Sequence, residues 1–474
     1  MIHVRTFFGR RLVPGFVVLA CVLGSAGCGT RESDEEFAAV MNGTGPGAAQ
    51  TPTAPIDGDL SGQPASQVGS TSPSGVAAPA SSATTPANAG LAEPGSAPNA
   101  SSVKTDPAAA ANHPQAVNRP EIAIGIIGPW SGVLGALGKG VPPTLRAWAA
   151  YTNAHGGLNG HPIRVVVGDD QADPGTAMTL ARRMVEQDKI IAMVNPIEPF
   201  AANQLEQYMR EKAIPIIGTE AGSPIWFNSP ITFPISTSLA RQVVGTLEAV
   251  VKRGTKKLAV FTCVEVAQLC AYLQDQVLKS EAGPYVETYQ VSLVAPSYTS
   301  QCLRMKQNGV EMLFMLMDTA AAARAARDCA TQGFTPKLGL LGLDATSDLP
   351  GIPELAAAEM PGATVSAGAT GVPGLAKFHQ VMQTYAPSVG DSGLGVLTWA
   401  AAEMFGLVGR NLSADAKPAE LLEALWKVRN ETLGGLTVPL TYPKNRPVEI
   451  KDCFFIWGVE NGKYSAPQGA KPIC

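Results

Sequence analysis

The chain has 474 residues, 45% of them hydrophobic and 16% charged, with a formal net charge of −4. So small a charge, with no block of bases beyond Lys256-Lys257, argues against a nucleic-acid backbone binder. No apolar run after Cys28 approaches the roughly 20 residues that span a bilayer. The five histidines are scattered and no C-x-x-C or H-E-x-x-H occurs, so no metal site is expected.

Taken in chain order, the first element reads as an export signal. Arg5, Arg10 and Arg11 precede "LVPGFVVLACVLGSAG", which is apolar but too short and too interrupted by Pro14 and Gly15 to span a membrane. Gly24-Ser25-Ala26-Gly27-Cys28 resembles the bacterial lipobox. That resemblance implies a signal peptide over 1–27 and acylation of Cys28, with Cys21 as a rival attachment point. An ordinary signal peptide with an incidental cysteine is the alternative. Acyl chains would hold the protein on the outer face of a membrane without spanning it.

Residues 28–118 change composition to Ala, Pro, Ser, Thr and Gly, and from Arg31 onward the only bases are Arg31 and Lys104. Such a segment has too little apolar surface to offset its ordering entropy and is expected to be a disordered linker. As a coil its ends would sit on the order of 50 Å apart.

From residue 119 the pattern alternates. Buried-strand runs are expected at 121–128, 190–195, 213–219, 257–262, 311–317 and 337–343. Helix-spaced apolar residues cover 175–188 and 239–252. Alternation of this kind predicts an α/β fold of parallel sheets with helices on both faces. Ligands in such sheets meet the loops at the carboxyl ends of the strands. Those loops are 128–132, 195–200, 219–224, 262–267, 317–320 and 343–347. Cys263, Cys270, Cys302, Cys329, Cys453 and Cys474 are an even set in an exported domain, which suggests disulfides. Six cysteines allow 15 pairings, and the locally nested set Cys263–Cys270, Cys302–Cys329 and Cys453–Cys474 is the expectation.

Gly156-Gly157-Leu158-Asn159-Gly160, followed by Asp169-Asp170-Gln171-Ala172-Asp173-Pro174, goes beyond generic α/β. In order and spacing it resembles the N-terminal lobe of type I periplasmic binding proteins, in the leucine/isoleucine/valine-binding branch. The pattern makes local sense: glycines end a helix in left-handed geometry, Asp173 suits an N-cap and Pro174 a first helical position. The resemblance runs through "AIPIIGTEAGSP" and "LLGLDATS" to the C-terminus.

The resemblance implies two Rossmann-like lobes: 119–237 with 366–436, and 238–365 with 437–474. Three hinge crossings would fall near Ser236–Ser238, Val365–Gly368 and Leu436–Val438. A small polar solute, an amino acid or related amide or amine, would be trapped as the lobes close. The loaded form would dock on an ABC permease with its ATPase, outside the cytoplasm. No cofactor, no catalysis and no nucleic acid are implied.

By the same resemblance, Ala221, Gly222 and Ser223 sit where main-chain and hydroxyl contacts hold a carboxylate, and Asp344 matches the acid that meets an amino group. Asn195-Pro196-Ile197-Glu198 stands where serines are usual, and Glu265 and Asp318 stand where tyrosines are often supplied. Glu198, Glu265, Asp318 and Asp344 could together form an acidic cleft around Trp130 and Ser131, suited to a cationic or amide-bearing solute. The competing expectation is that the acids cap helices and that Trp130 packs on the lobe surface.

Two rival classes bear on this. "GDSG" at 390–393 copies a protease nucleophile tetrapeptide, but it reads better as a helix start before "LGVLTWAAAEMFGL". A ligand sensor or structural lipoprotein on the same shell, without transport, is the closer rival.

Overall fold

The computed structural model describes residues 119–474 apart from 133 and 445–447. Cys28, its rival Cys21, the signal over 1–27 and the linker over 28–118 lie outside the described residues.

Two parallel sheets organise the described chain. The first has the order β2-β1-β3-β4-β5, built from β1 (Ile122–Gly128), β2 (Ile163–Asp169), β3 (Ile190–Val194), β4 (Ile216–Ile217) and β5 (Thr232–Phe233). The second has the order β7-β6-β8-β9, from β6 (Leu258–Cys263), β7 (Val286–Val291), β8 (Met312–Leu316) and β9 (Lys337–Leu340). Every pairing in both sheets is parallel. The central strands are buried on both faces, and this is why β1 and β8 read as unbroken apolar runs. Beyond β9, a parallel bridge from Gly339 to Glu359 leads to β10 (Met360–Gly362). β10 pairs antiparallel with β13 (Phe455–Glu460), which pairs with β14 (Lys463–Ser465); β11 (Leu440–Thr441) and β12 (Glu449–Ile450) form a separate short ribbon.

The helix caps follow their local chemistry. Helix Val141–Ala154 ends in Gly156 and Gly157, at φ of 92° and 75°, a region that favours glycine. Asp173 caps the helix Pro174–Glu186, its side chain accepting from Thr176 N at 2.6 Å. Ser392 does the same for Gly393–Val408 by accepting from Gly395 N at 3.1 Å, so "GDSG" is a helix start. That helix is apolar on nearly every side and is packed into the core, as all-round hydrophobicity requires.

The three nested cysteine pairs are bonded. Cys263–Cys270 ties the end of β6 to helix Ala267–Lys279, and Cys302–Cys329 joins helices Thr299–Asn308 and Thr319–Thr331. Cys453–Cys474 fastens the C-terminus, where Phe454 and Ile473 form an antiparallel bridge. The segments 236–238, 365–368 and 436–438 are largely buried, and Val365 N donates to Leu436 O at 2.9 Å.

Candidate functional site

The carboxyl ends of both sheets face a common cavity of about 120 Å³. Pro129 follows β1, Ile197 and Pro199 follow β3, and Glu220 follows β4. From the other side, Cys263 and Val266 come after β6, Leu293 after β7, Met317 and Asp318 after β8, and Leu343 and Asp344 after β9. All six loops named from the sequence therefore reach the wall. The chemistry of that wall is apolar: ten of its 21 residues are leucines, among them Leu137, Leu239, Leu269 and Leu394. Beside it lies a second cavity, a vestibule of about 560 Å³, which shares Leu137 and Asp318 with the first and mixes apolar residues with Lys139, Thr346, Ser347 and Asp348.

The acidic ring around Trp130 does not assemble. The Trp130 ring packs onto Gly128 and Gly138, where an added Cβ would lie 2.5 and 2.6 Å from its carbons. The absence of side chains at these two glycines makes room for the indole against the first sheet. Trp130 N donates to Asp169 Oδ1 at 3.0 Å. Ser131 is exposed and also donates to Asp169; burial works against ionisation of that carboxyl, but the Ser131 and backbone hydrogen bonds hold it below its ordinary range.

Glu198 is buried and accepts from Ala201 N at 3.0 Å, at the start of helix Ala202–Glu211. Burial first, and then the neighbouring Asp170 carboxyl, push its carboxyl far above the carboxylate range and favour its neutral form. Burial raises Asp170 as well, against the effect of its hydrogen bond with Glu198.

Glu265 accepts from Ser292 Oγ at 2.6 Å and Leu293 N at 2.9 Å. These bonds outweigh burial and hold it below its usual range. Asp318 caps helix Thr319–Thr331 through Ala320 N and Ala321 N, at 2.9 and 3.0 Å, while also lining the cavity. Asp344 lines the cavity too, and burial, then the charge of Asp318, push it up to about 8.

Of the first sheet's expected contacts, Asn195 takes a left-handed φ of 49° and donates through Nδ2 to Thr398 Oγ1 at 2.9 Å, inside the core. Ala221 is buried, with its carbonyl accepting from Leu239 N at 2.8 Å. Gly222 abuts Leu269, so an added Cβ would lie 3.2 Å from that leucine. The Ser223 hydroxyl is spent on Glu220 Oε1 at 3.1 Å.

The sequence reading missed Glu220 itself. It is 3% exposed, lines the cavity and accepts from Trp226 Nε1 at 2.6 Å; burial raises its carboxyl despite those donors. The signal was present in "TEAGSPIW", an acid followed at short range by Ser223 and Trp226, both able to donate to it.

Comparison with known proteins agrees with this geometry. The family described as Periplasmic binding protein matches residues 121–448. A Pseudomonas aeruginosa protein named Amino acid binding protein is 38% identical over 74 residues, 16% of this chain and 20% of that one. The chain thus aligns with about a fifth of the length of the curated relatives it matches. A leucine binding protein from Thermotoga maritima superposes with a TM-score of 0.60 at 17% identity, covering 74% of this chain and 98% of the other. An ABC-transporter solute binding protein from R. palustris in complex with 4-hydroxybenzoate gives 0.61 at 19% identity, covering 74% and 97%. Two parallel sheets that aim their carboxyl ends at one cavity, with a family match over most of the chain, place this protein in the periplasmic binding protein family, type I, leucine-binding branch.

Proposed function

We propose that this protein is the extracytoplasmic solute-binding component of an ABC importer, capturing a small solute between two closing lobes. The single observation that carries the reading is the cavity between the carboxyl ends of both sheets, to which all six strand-end loops contribute. Closure is a hinge motion about the segments near 236–238, 365–368 and 436–438, driven by contacts that a solute makes to both sides at once. The leucine wall favours a solute with an apolar body, and Asp344, Asp318 and Glu220 provide its polar contacts. Amino acids and their amine relatives fit that description, in keeping with the relatives named for amino acids and leucine. The loaded form docks on a permease with its ATPase, and Cys28 supplies a lipid anchor beyond which residues 28–118 act as a tether. No described helix is long and apolar enough to cross a membrane.

A thermal-shift screen of the purified protein against amino acids, amines, amides and carboxylates tests the reading, because a ligand that binds only the folded state raises the melting temperature by mass action. At least one class should raise it saturably. A flat response across the panel contradicts solute capture.

A further inference from the structure

The cavity wall is apolar except at three carboxyls, Glu220, Asp318 and Asp344, brought by loops of both sheets. Glu220 enters from the loop after β4, on the side of the first sheet, and Asp344 from the turn after β9, on the side of the second. Glu220 binds Trp226 and Ser223 through Oε1, while Oε2 is buried with no hydrogen-bond partner among the described residues. The Asp344 carboxyl likewise has no hydrogen bond among the described residues, and Asp318 is the one charged group acting on it. Asp318 is occupied in capping its helix, and no lysine or arginine lines the cavity. An acid placed in an apolar wall without a counter-charge is costly, and a bound cation removes that cost. A bound carboxylate at the first sheet's side would instead meet Glu220, with Ser223 already engaged.

We propose that the cavity selects an organic cation with an aliphatic body, and that a linear alkyl diamine, one ammonium on Asp344 and the other on Glu220, is the simplest solute that satisfies both ends. The proposal rests on the capture reading above and adds the charge class of the solute. The hydrocarbon spacer of such a molecule suits the leucine-rich wall, and its two charges suit two carboxyls that have no counter-charge in that wall.

The test is a calorimetric titration of the full chain with 1,5-diaminopentane, pentylamine, pentanoate and leucine at pH 8.5 and low salt. The diamine should bind at least tenfold more tightly than pentylamine, and pentanoate should not bind. Glu220→Gln keeps an acceptor for Trp226 and should weaken the diamine tenfold or more, and pentylamine by a smaller factor. Asp344→Asn should weaken both. The comparison of the four solutes on the unsubstituted protein stands even where a variant folds poorly. Tighter binding of pentanoate or leucine than of the diamine overturns the cation assignment and leaves solute capture standing. Diamine binding untouched by both substitutions overturns the site, and binding of none of the four by the unsubstituted protein overturns the proposal.

Discussion

Glu220 shows how a single side chain can be both a structural partner and part of a cavity wall. Its Oε1 receives the indole N–H of Trp226, which is fully buried, while the residue itself forms part of the cavity wall. Trp226→Phe keeps most of the packing but removes a donor from a buried acid, a loss of about 1–3 kcal/mol. Denaturant unfolding at neutral pH should show that loss, and an unchanged midpoint would mean that the bond contributes nothing net.

The raised acids set a direction for pH. Glu198, Glu220 and Asp344 bind protons more tightly in the folded state than in an unfolded chain. Their contribution is fully present below the ordinary carboxylate range and is lost as pH rises through each folded value, for Asp344 about 8. Each group removes up to about 1.4 kcal/mol per pH unit within its window. Melting temperature should therefore fall between pH 5 and pH 9, and Glu198→Gln should flatten the slope. A melting temperature that rises over this range would contradict these assignments. Binding of a cation at Asp344 should strengthen as pH rises toward 8, since the ammonium pairs with the ionised form. Asp318 acts on that equilibrium directly, Glu220 lines the same cavity, and Lys139 and Asp348 line the one beside it.

At the scale of elements, legibility depended on whether a strand is covered. The expected runs at 121–128, 190–195, 257–262 and 311–317 sit on β1, β3, β6 and β8, central strands whose two buried faces leave an unbroken apolar signature. Neither β2 nor β7 falls on an expected run, and both are edge strands, whereas the edge strand β9 falls on the run at 337–343 because the bridge to Glu359 covers its outer side. "IRVVVGD" and "VETYQV" carry polar residues because one side faces solvent, so neither stands out as a run. β4 shrank to two residues because the chain leaves the sheet at Gly218, where φ is 76°.

The site shows the same division. The loops were legible because parallel topology fixes where they point. Which residue of each loop faces the cavity was not, because the hydrogen-bonding residues turned toward local backbone donors. Glu198 took a helix-start amide and Glu265 took Leu293 N, while Ile197 and Val266 beside them line the wall; Asp318 caps its helix and lines the wall as well. Only Asp318 and Asp344 of the expected contacts reach it.

The disulfides act at this scale as well. Chain-entropy arithmetic gives about 3.5 kcal/mol for the 27-residue Cys302–Cys329 loop and about 2.4 kcal/mol for the 7-residue Cys263–Cys270 loop. Replacing Cys302 and Cys329 together by Ala should cost more stability than replacing Cys263 and Cys270. The second pair lines the cavity, so its loss should weaken solute binding more. Melting temperature and affinity measured on both double variants check this, and a reversed order in either would contradict it.

For the whole molecule, the account makes the gap between the two sheets the working part. The first sheet brings Glu220 and the second Asp344, with leucines from both sides between them, so a solute that fills the gap bridges the two halves. Whatever ligand is identified, its contacts must span both sheets, because a solute held by one half alone has no differential affinity for a closed form. The most direct measurement is the melting temperature of the full chain with and without a saturating solute, repeated for Leu343→Trp, whose indole would occupy the cavity. The account predicts a saturable rise that the substitution abolishes while the protein stays folded. A rise of the same size in the Trp variant would place the binding elsewhere and contradict it.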